Sequence, residues 1–196
     1  MFEAYFHLFN RELIVNIYKA SIEDLYVIEP DIYTDDRGCF LESYSSKYFL
    51  NKGINLNFLQ DNISKSTKGV LRGMHYQLEN PQGKMVRCVY GKVLDVSVDI
   101  RKKSPTFGKV FSKILSDKNN ISLYIPPGFA HGFCVLSDEA TFHYKCTGYY
   151  DADDSYGILW NGIDFEWPID NPIISEKDKI LPTLLKQEEG LLPIYE

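Results

Sequence analysis

An all-β sandwich or barrel of the jelly-roll kind is what this sequence predicts, and three observations carry the prediction. Short runs rich in β-branched and aromatic residues recur along the chain with polar turns between them. Helical periodicity is nearly absent until the last residues. Aromatic residues are 14% of the chain, with 14 tyrosines and 12 phenylalanines, which suits strands around a ring-lined interior that holds one ligand.

In chain order, Leu13 to Tyr18 reads as a strand, and Leu25 to Ile28 as a second, stopped by Glu29-Pro30. Asp35-Asp36-Arg37-Gly38 has turn chemistry and leads into an apolar run from Cys39 to Tyr44. Ser46 to Lys52 fits a single helix ended by Gly53. A strand follows from Phe58 to Ser64, then another through Gly69-Val70-Leu71-Arg72-Gly73-Met74-His75-Tyr76-Gln77. Lys84 to Tyr90, a turn at Gly91-Lys92 and Val93 to Ile100 read as the clearest hairpin. In its second arm Leu94, Val96, Val98 and Ile100 share one face. Asp95, Ser97 and Asp99 share the other, the period of a half-buried strand. Further strands are Val110 to Leu115, Ile121 to Ile125, Gly132 to Leu136 and Ala140 to Thr147. No internal repeat, low-complexity tract or flexible linker divides the chain.

Composition narrows the function. The 196 residues suffice for one domain with a real core, and 44% hydrophobic with 24% charged residues is ordinary for a soluble globular protein. A net charge of −6 argues against general nucleic-acid binding, though a few cations gathered in a cleft can still hold a small anion. The start lacks the basic and continuous apolar regions of a signal peptide, and no run approaches the roughly 18 apolar residues of a membrane span. Cys39, Cys88, Cys134 and Cys146 form no C-x-x-C pair, and the last three sit in apolar runs that fit buried free thiols in a reducing cytoplasm. The expected localisation is cytoplasmic, with no membrane partner.

The candidate chemistry gathers around His75, whose side chain titrates nearest neutrality. Alone it also fits a packed, hydrogen-bonded strand histidine. A metal-binding cupin would need His-x-His with further ligands, but Tyr76 and Gln77 follow His75, and the other histidines are His7, His131 and His143. No metal or other cofactor is expected. An acid/base site needs a carboxylate to orient the imidazole, and the residues alone do not say which of 27 acidic side chains supplies it. Tyr144 alternates with Phe142 and Cys146 on the inward face of its strand, where it fits packing or proton transfer. Lys84 shares a face with Val86, Cys88 and Tyr90, and an inward lysine is a functional pointer if an anion meets it. Pro126 to Gly132 reads as a rigid loop with His131 at its exit, either a β-arch or a ligand contact.

With these residues in view, the chain resembles the dTDP-4-dehydrorhamnose 3,5-epimerase family from about Ile17 to Pro182. The resemblance rests on ordered blocks: Asp35-Asp36-Arg37-Gly38, Gln60-Asp61-Asn62, Leu71 to Gln77, Lys84-Met85-Val86-Arg87, Ser104-Pro105-Thr106-Phe107-Gly108, Pro126 to Gly132, Tyr144-Lys145-x-Thr147-x-Tyr149-Tyr150, and Ser175-Glu176-Lys177-Asp178. It implies a cupin-type jelly roll over residues 15–196, an amino-terminal extension over 1–14, no metal, and a homodimer. It implies His75 as general base, Asp178 as its dyad partner, Tyr144 as general acid, and Lys84 beside the sugar O4. Arg37, Phe40 and Glu42 would meet the nucleotide base from the neighbouring subunit. Gln60, Asp61, Asn62, Arg72 and His131 would bind the nucleotide sugar, and Tyr150 would pack near the thymine.

The implied activity is epimerisation of dTDP-4-dehydro-6-deoxy-D-glucose at C3 and C5 through an enolate, in dTDP-L-rhamnose synthesis. A mono-epimerase, an epimerase of another nucleotide-linked 4-keto sugar, and a non-catalytic sugar-binding cupin are the alternatives. Under strict alternation Arg72 and His75 fall on opposite faces, so a bulge at Gly73 is expected.

Overall fold

The computed structural model describes residues 15–195, so the expected extension, 1–14, lies outside the described residues. The strands are β1 (Val15–Lys19), β2 (Tyr26–Pro30), β3 (Ile32–Asp35), β4 (Gly38–Leu41), β5 (Gln60–Thr67), β6 (Leu71–Gln77), β7 (Lys84–Tyr90), β8 (Lys92–Asp99), β9 (Val110–Ser116), β10 (Ser122–Ile125), β11 (Phe129–Val135), β12 (Glu139–Cys146) and β13 (Ser155–Gly157). Among the described residues two short helices join them, α1 (Ser46–Asn51) and α2 (Glu176–Lys179), with single 3-10 turns at Leu184–Lys186 and Glu189–Leu191. A six-stranded sheet in the order β1-β2-β10-β7-β12-β5 faces a five-stranded sheet in the order β13-β6-β11-β8-β9. This is the expected jelly-roll sandwich.

Apolar residues fill three layers. Between the sheets, Val27, Val86, Leu123 and Phe142 meet Val93, Leu115, Phe133 and Val135. On the back of the five-stranded sheet, Leu71, Met74, Val96, Val98 and Ala130 are covered by Ile158, Trp167, Leu184 and Leu192 from the carboxy-terminal segment. On the back of the six-stranded sheet, Ile17, Ile28, Met85 and Tyr124 are covered by Phe49 of α1.

Two expectations are corrected here. The run from Lys84 to Ile100 is not a hairpin. β7 pairs with β10 and β12, whereas β8 pairs with β11 and β9, so the turn at Gly91 carries the chain from one sheet to the other. Gly91 has φ +77°, and a Cβ there would lie 2.1 Å from the Glu139 carbonyl oxygen, so the crossing is too tight for a side chain. Nor is β8 half-buried. Its apolar row packs under the carboxy-terminal segment, and its polar row, Asp95, Ser97 and Asp99, is 0% exposed because it turns into the sandwich. Alternation separates two faces without saying which one meets water.

At one end of that row Asp99 accepts hydrogen bonds from the Arg101 Nε (2.9 Å), the Ser104 hydroxyl (2.6 Å) and the Thr106 hydroxyl (2.6 Å). Burial alone would raise its pKa, but these donors hold the carboxyl below the usual carboxylate range. Arg101 also bonds Asp24 (2.9 Å) and lies 4.6 Å over the Phe129 ring and 4.8 Å over the Tyr195 ring. The chain end is thereby tied to the sandwich. Replacing Asp99 by Ala removes the buried acceptor shared by two hydroxyls and the guanidinium, which keeps Asp24, and urea unfolding should show a loss of about 1–3 kcal/mol.

Candidate active site

The site begins with one extra residue in β6. His131 pairs with His75 and Phe133 with Arg72, so two steps along β11 match three along β6. Leu71, Met74 and Tyr76 therefore pack together on the back of the sheet, and Arg72 and His75 both turn inward. The bulge expected at Gly73 is present, and the local packing explains the residue. Gly73 has φ +131°, and a Cβ there would sit 2.5 Å from the Gly132 Cα and 2.9 Å from the His131 carbonyl oxygen.

The structure brings His75 and Asp178 together. Asp178 lies in α2, where the Ser175 hydroxyl caps the turn by accepting from the Asp178 N–H at 3.1 Å. That turn sets the carboxylate 2.7 Å from His75 Nε2. The tautomer that donates Nε2–H to Asp178 leaves the lone pair on Nδ1. Asp178 is buried, with a side chain 5% exposed, while the His75 side chain is 38% exposed and open to the cleft. Burial would raise the Asp178 pKa, but the His75 hydrogen bond and charge, the Ser175 hydroxyl and the Gly73 N–H hold it below the usual range.

The opposite inner wall comes from the six-stranded sheet. Tyr144 packs inward against Phe142 and the inter-sheet core, and burial pushes its phenol upward, so it stays protonated. Cys146 follows on the same face, with its thiol pushed up by burial and bonded by the Asn62 amide at 3.7 Å. Lys84 pairs with Cys146 across the strands. Its ammonium has no hydrogen bond or ion pair among the described residues. Burial pulls its pKa down, and Cys146 and Asp95 oppose that pull.

The other candidates divide. Gln60 and Asn62 turn inward and bond each other at 2.9 Å, and the Arg72 Nε bonds the Ser66 hydroxyl at 3.1 Å. Asp61 does not join them. It is on the outer face of β5, where both its oxygens accept from Lys145 Nζ at 2.9 Å and His143 stands at 3.5 Å. Its exclusion follows from alternation between two inward neighbours. His131 is also relocated: β11 already starts at Phe129, so His131 is in a strand interior and not at a loop exit. Its Nε2 lies 2.8 Å from Asp95, a site residue that the sequence reading missed, since only its place in the polar row of β8 marks it.

Tyr150 is exposed beside a cleft of about 640 Å³ lined by Leu59, Asn80, Pro81 and Tyr149, and its N–H donates to Gln60 Oε1 at 3.0 Å. Arg37 and Phe40 are set apart on the β3–β4 hairpin, with Glu42 just beyond it. Among the described residues those two strands pair only with each other, Arg37 bonds Asp35, and Phe40 is 60% exposed. Among the described residues no three His, Cys, Asp or Glu side chains are grouped to hold a metal ion, and no helix is long and apolar enough to cross a membrane.

Comparisons with known proteins identify the family. Residues 19–186 match the family model described as dTDP-4-dehydrorhamnose 3,5-epimerase. A dTDP-4-dehydrorhamnose 3,5-epimerase of Shigella flexneri is 55% identical over 168 residues, 84% of this chain and 93% of that protein. A dTDP-4-dehydrorhamnose 3-epimerase of Streptomyces niveus is 38% identical over 89% of this chain and 87% of its own. A crystal structure of dTDP-6-deoxy-D-glucose-3,5-epimerase from Legionella pneumophila, in complex with dTDP-4-keto-L-rhamnose, superposes with a TM-score of 0.90. The two chains are 45% identical, over 93% of this chain and all of that one.

The dyad has a consequence for acid stability. A carboxyl whose folded pKa is lowered stabilises the fold above its unfolded pKa and loses that contribution as pH falls through the folded value. His75→Ala removes the main opposing donor and leaves burial to act, so the Asp178 pKa should rise. Urea unfolding followed from pH 7 downward should then show a smaller acid-linked loss of stability than in the unaltered protein.

Proposed function

The chain belongs to the dTDP-4-dehydrorhamnose 3,5-epimerase family, and from that premise we propose that His75 and Tyr144 move protons on opposite faces of one bound sugar. The enzyme epimerises dTDP-4-dehydro-6-deoxy-D-glucose at C3 and C5 to dTDP-4-dehydro-L-rhamnose, for dTDP-L-rhamnose biosynthesis. Both carbons are alpha to the C4 carbonyl. His75 takes the proton from one of them, and the C–H electron pair passes into the ring as an enolate whose charge collects on O4. The desolvated Lys84 ammonium, with no anion bonded to it among the described residues, is suited to meet that oxygen. Tyr144 then gives its phenolic proton to the other face of the carbon, and the centre is inverted.

The observation that carries this reading is the placement of the two groups on facing walls. His75, held by Asp178 at 2.7 Å, projects from the five-stranded sheet, and Tyr144 projects from the six-stranded one. A sugar ring between them offers one face to each. Asp178 keeps the imidazole oriented and stabilises it once protonated. Gln60, Asn62, Arg72 and His131 would line the sugar and diphosphate cleft, with Tyr150 near the thymine. The β3–β4 hairpin, paired with neither sheet among the described residues, supports a homodimer in which Arg37, Phe40 and Glu42 reach the nucleotide of the neighbouring subunit. Four free cysteines suit a cytoplasmic enzyme.

Incubation with the 4-keto nucleotide sugar in deuterated water should label both C3 and C5. Label at one centre would mean a mono-epimerase, and tight binding without label a sugar-binding protein. His75→Ala should abolish exchange at both centres while dTDP affinity stays within a few-fold, and exchange retained in that variant would remove His75 as the base. Tyr144→Phe should slow product formation by about a hundredfold or more, and slow exchange less, because it impairs delivery and leaves abstraction in place.

A further inference from the structure

The inward row of β5 is polar from end to end. Gln60, Asn62, Ser64 and Ser66 turn toward the sandwich, while Asp61, Ile63, Lys65 and Thr67 are exposed. The proposed cleft uses Gln60 and Asn62 and leaves Ser66 without a role. Ser66 pairs in register with Ala140 of β12, and Arg72 with Phe133 of β11, and both partners belong to the inter-sheet core. The two side chains therefore meet across the gap between the sheets, where Arg72 Nε donates to the Ser66 hydroxyl oxygen at 3.1 Å. Arg72 is exposed, and among the described residues neither of its Nη nitrogens has a hydrogen bond or an ion pair. The chemistry of its acceptor sets this arginine apart. Arg37 is met by the Asp35 carboxylate, and Arg101 by those of Asp99 and Asp24. Arg72 is met by a neutral hydroxyl, which fixes a direction without neutralising the guanidinium. With Nε engaged, the edge that remains for two oxygens of an anion is the one carrying both Nη nitrogens.

We propose that Ser66 is a positioning residue for nucleotide binding, accepting from Arg72 Nε so that the two Nη nitrogens present a bidentate face to the substrate diphosphate. The inference rests on the reading above in which Arg72 lines the diphosphate part of the cleft. An unrestrained arginine loses rotamer freedom when an anion fixes it, and that loss subtracts from binding. The Ser66 bond restricts the side chain beforehand. Its own backbone is well held. The turn over residues 68–70, which joins β5 to β6, is bonded from the Lys68 N–H to the Asp138 carbonyl (2.9 Å) and from the Gly69 N–H to the Val135 carbonyl (3.1 Å). The hydroxyl and the arginine backbone are thereby kept in place relative to each other. Ser66 touches no reacting atom, and the diphosphate does not change charge during proton transfer at the sugar. A weaker grip on it lowers binding of the ground state and the transition state alike, so the effect falls on affinity and not on the chemical step.

The test is a double-mutant cycle read as dTDP affinity by titration calorimetry. Ser66→Ala removes the acceptor and should raise the Kd for dTDP by about three- to tenfold. KM for the nucleotide sugar should rise by a similar factor, with kcat within about twofold of the unaltered enzyme. Ser66→Thr keeps the hydroxyl on a residue that suits a strand, and its Kd should stay within about twofold. In an Arg72→Ala background, Ser66→Ala should change the Kd by less than about twofold, because the residue it acts through is gone. An unchanged Kd in Ser66→Ala overturns the proposal. So does an equal loss in Ser66→Thr, or an undiminished loss in the Arg72→Ala background, which would show the serine acting by itself or through the fold. Arg72→Ala alone separates the two failures. Unchanged dTDP affinity there defeats the placement of Arg72 at the diphosphate, whereas weakened binding there with a normal Ser66→Ala defeats only this inference.

Discussion

The contact between Gly73 and Gly132 governs the active face of this sandwich. A Cβ on Gly73 would fall 2.5 Å from the Gly132 Cα, so the two strands approach more closely there than side chains allow. The closeness accommodates an extra residue in β6, which reverses the alternation after Arg72. Without it, a strand with Arg72 inward would turn His75 into the apolar layer among Leu71, Trp167 and Leu184, and Met74 into the cleft. The same glycine gives its N–H to the Asp178 carboxylate, so one residue sets both the direction of the imidazole and part of the field around its partner. Backbone geometry here is upstream of the chemistry.

A second constraint is electrostatic. A jelly roll normally fills its interior with apolar side chains, and this one does so only at the Val93 end of β8. Further along, Asp95, Ser97 and Asp99 replace them. Asp99 is fully engaged with Arg101, Ser104 and Thr106, a closed network that holds structure together. Asp95 is engaged on one side only, and the Lys84 ammonium has no hydrogen bond or ion pair among the described residues. The two ends of one strand therefore serve different ends. Satisfied polar groups stabilise, and groups left partly unsatisfied in a dry interior are poised for a ligand that brings charge with it.

Much of this was legible in the chain. Period-two runs located most of the strands to within a few residues, and the inward face of β12 came out as expected because Phe142, Tyr144 and Cys146 alternate cleanly with His143 and Lys145. The failures share a cause. The supposed hairpin at Gly91 and the supposed wet face of β8 both depend on which distant strands pair and which layer covers them, and alternation holds no information about either. Asp61 shows the same limit on a smaller scale: a motif names three adjacent residues, yet a strand can present only alternate ones to the cleft. The partnership of His75 with Asp178 spans 103 residues and reached the sequence reading through family resemblance alone.

The Tyr150 end of the cleft is also held rigidly. Asp154 accepts from three consecutive backbone N–H groups, those of Leu78 (3.0 Å), Glu79 (2.9 Å) and Asn80 (2.7 Å). Those donors hold its carboxyl below the usual range against the opposing effect of burial. Gln77, the last residue of β6, donates to the carbonyls of Asn80 and Tyr149 and accepts from the Asp151 N–H. The loop after β6 and the loop carrying Tyr149 and Tyr150 are thereby fastened to the strand that carries His75. A ring stacked on Tyr150 would be registered against the imidazole through a few stiff, hydrogen-bonded links. Binding energy from the nucleotide could then place the sugar carbons at the base without first ordering a loop. The reaction asks for such a frame, because the same acid and base must address two carbons of one ring in turn.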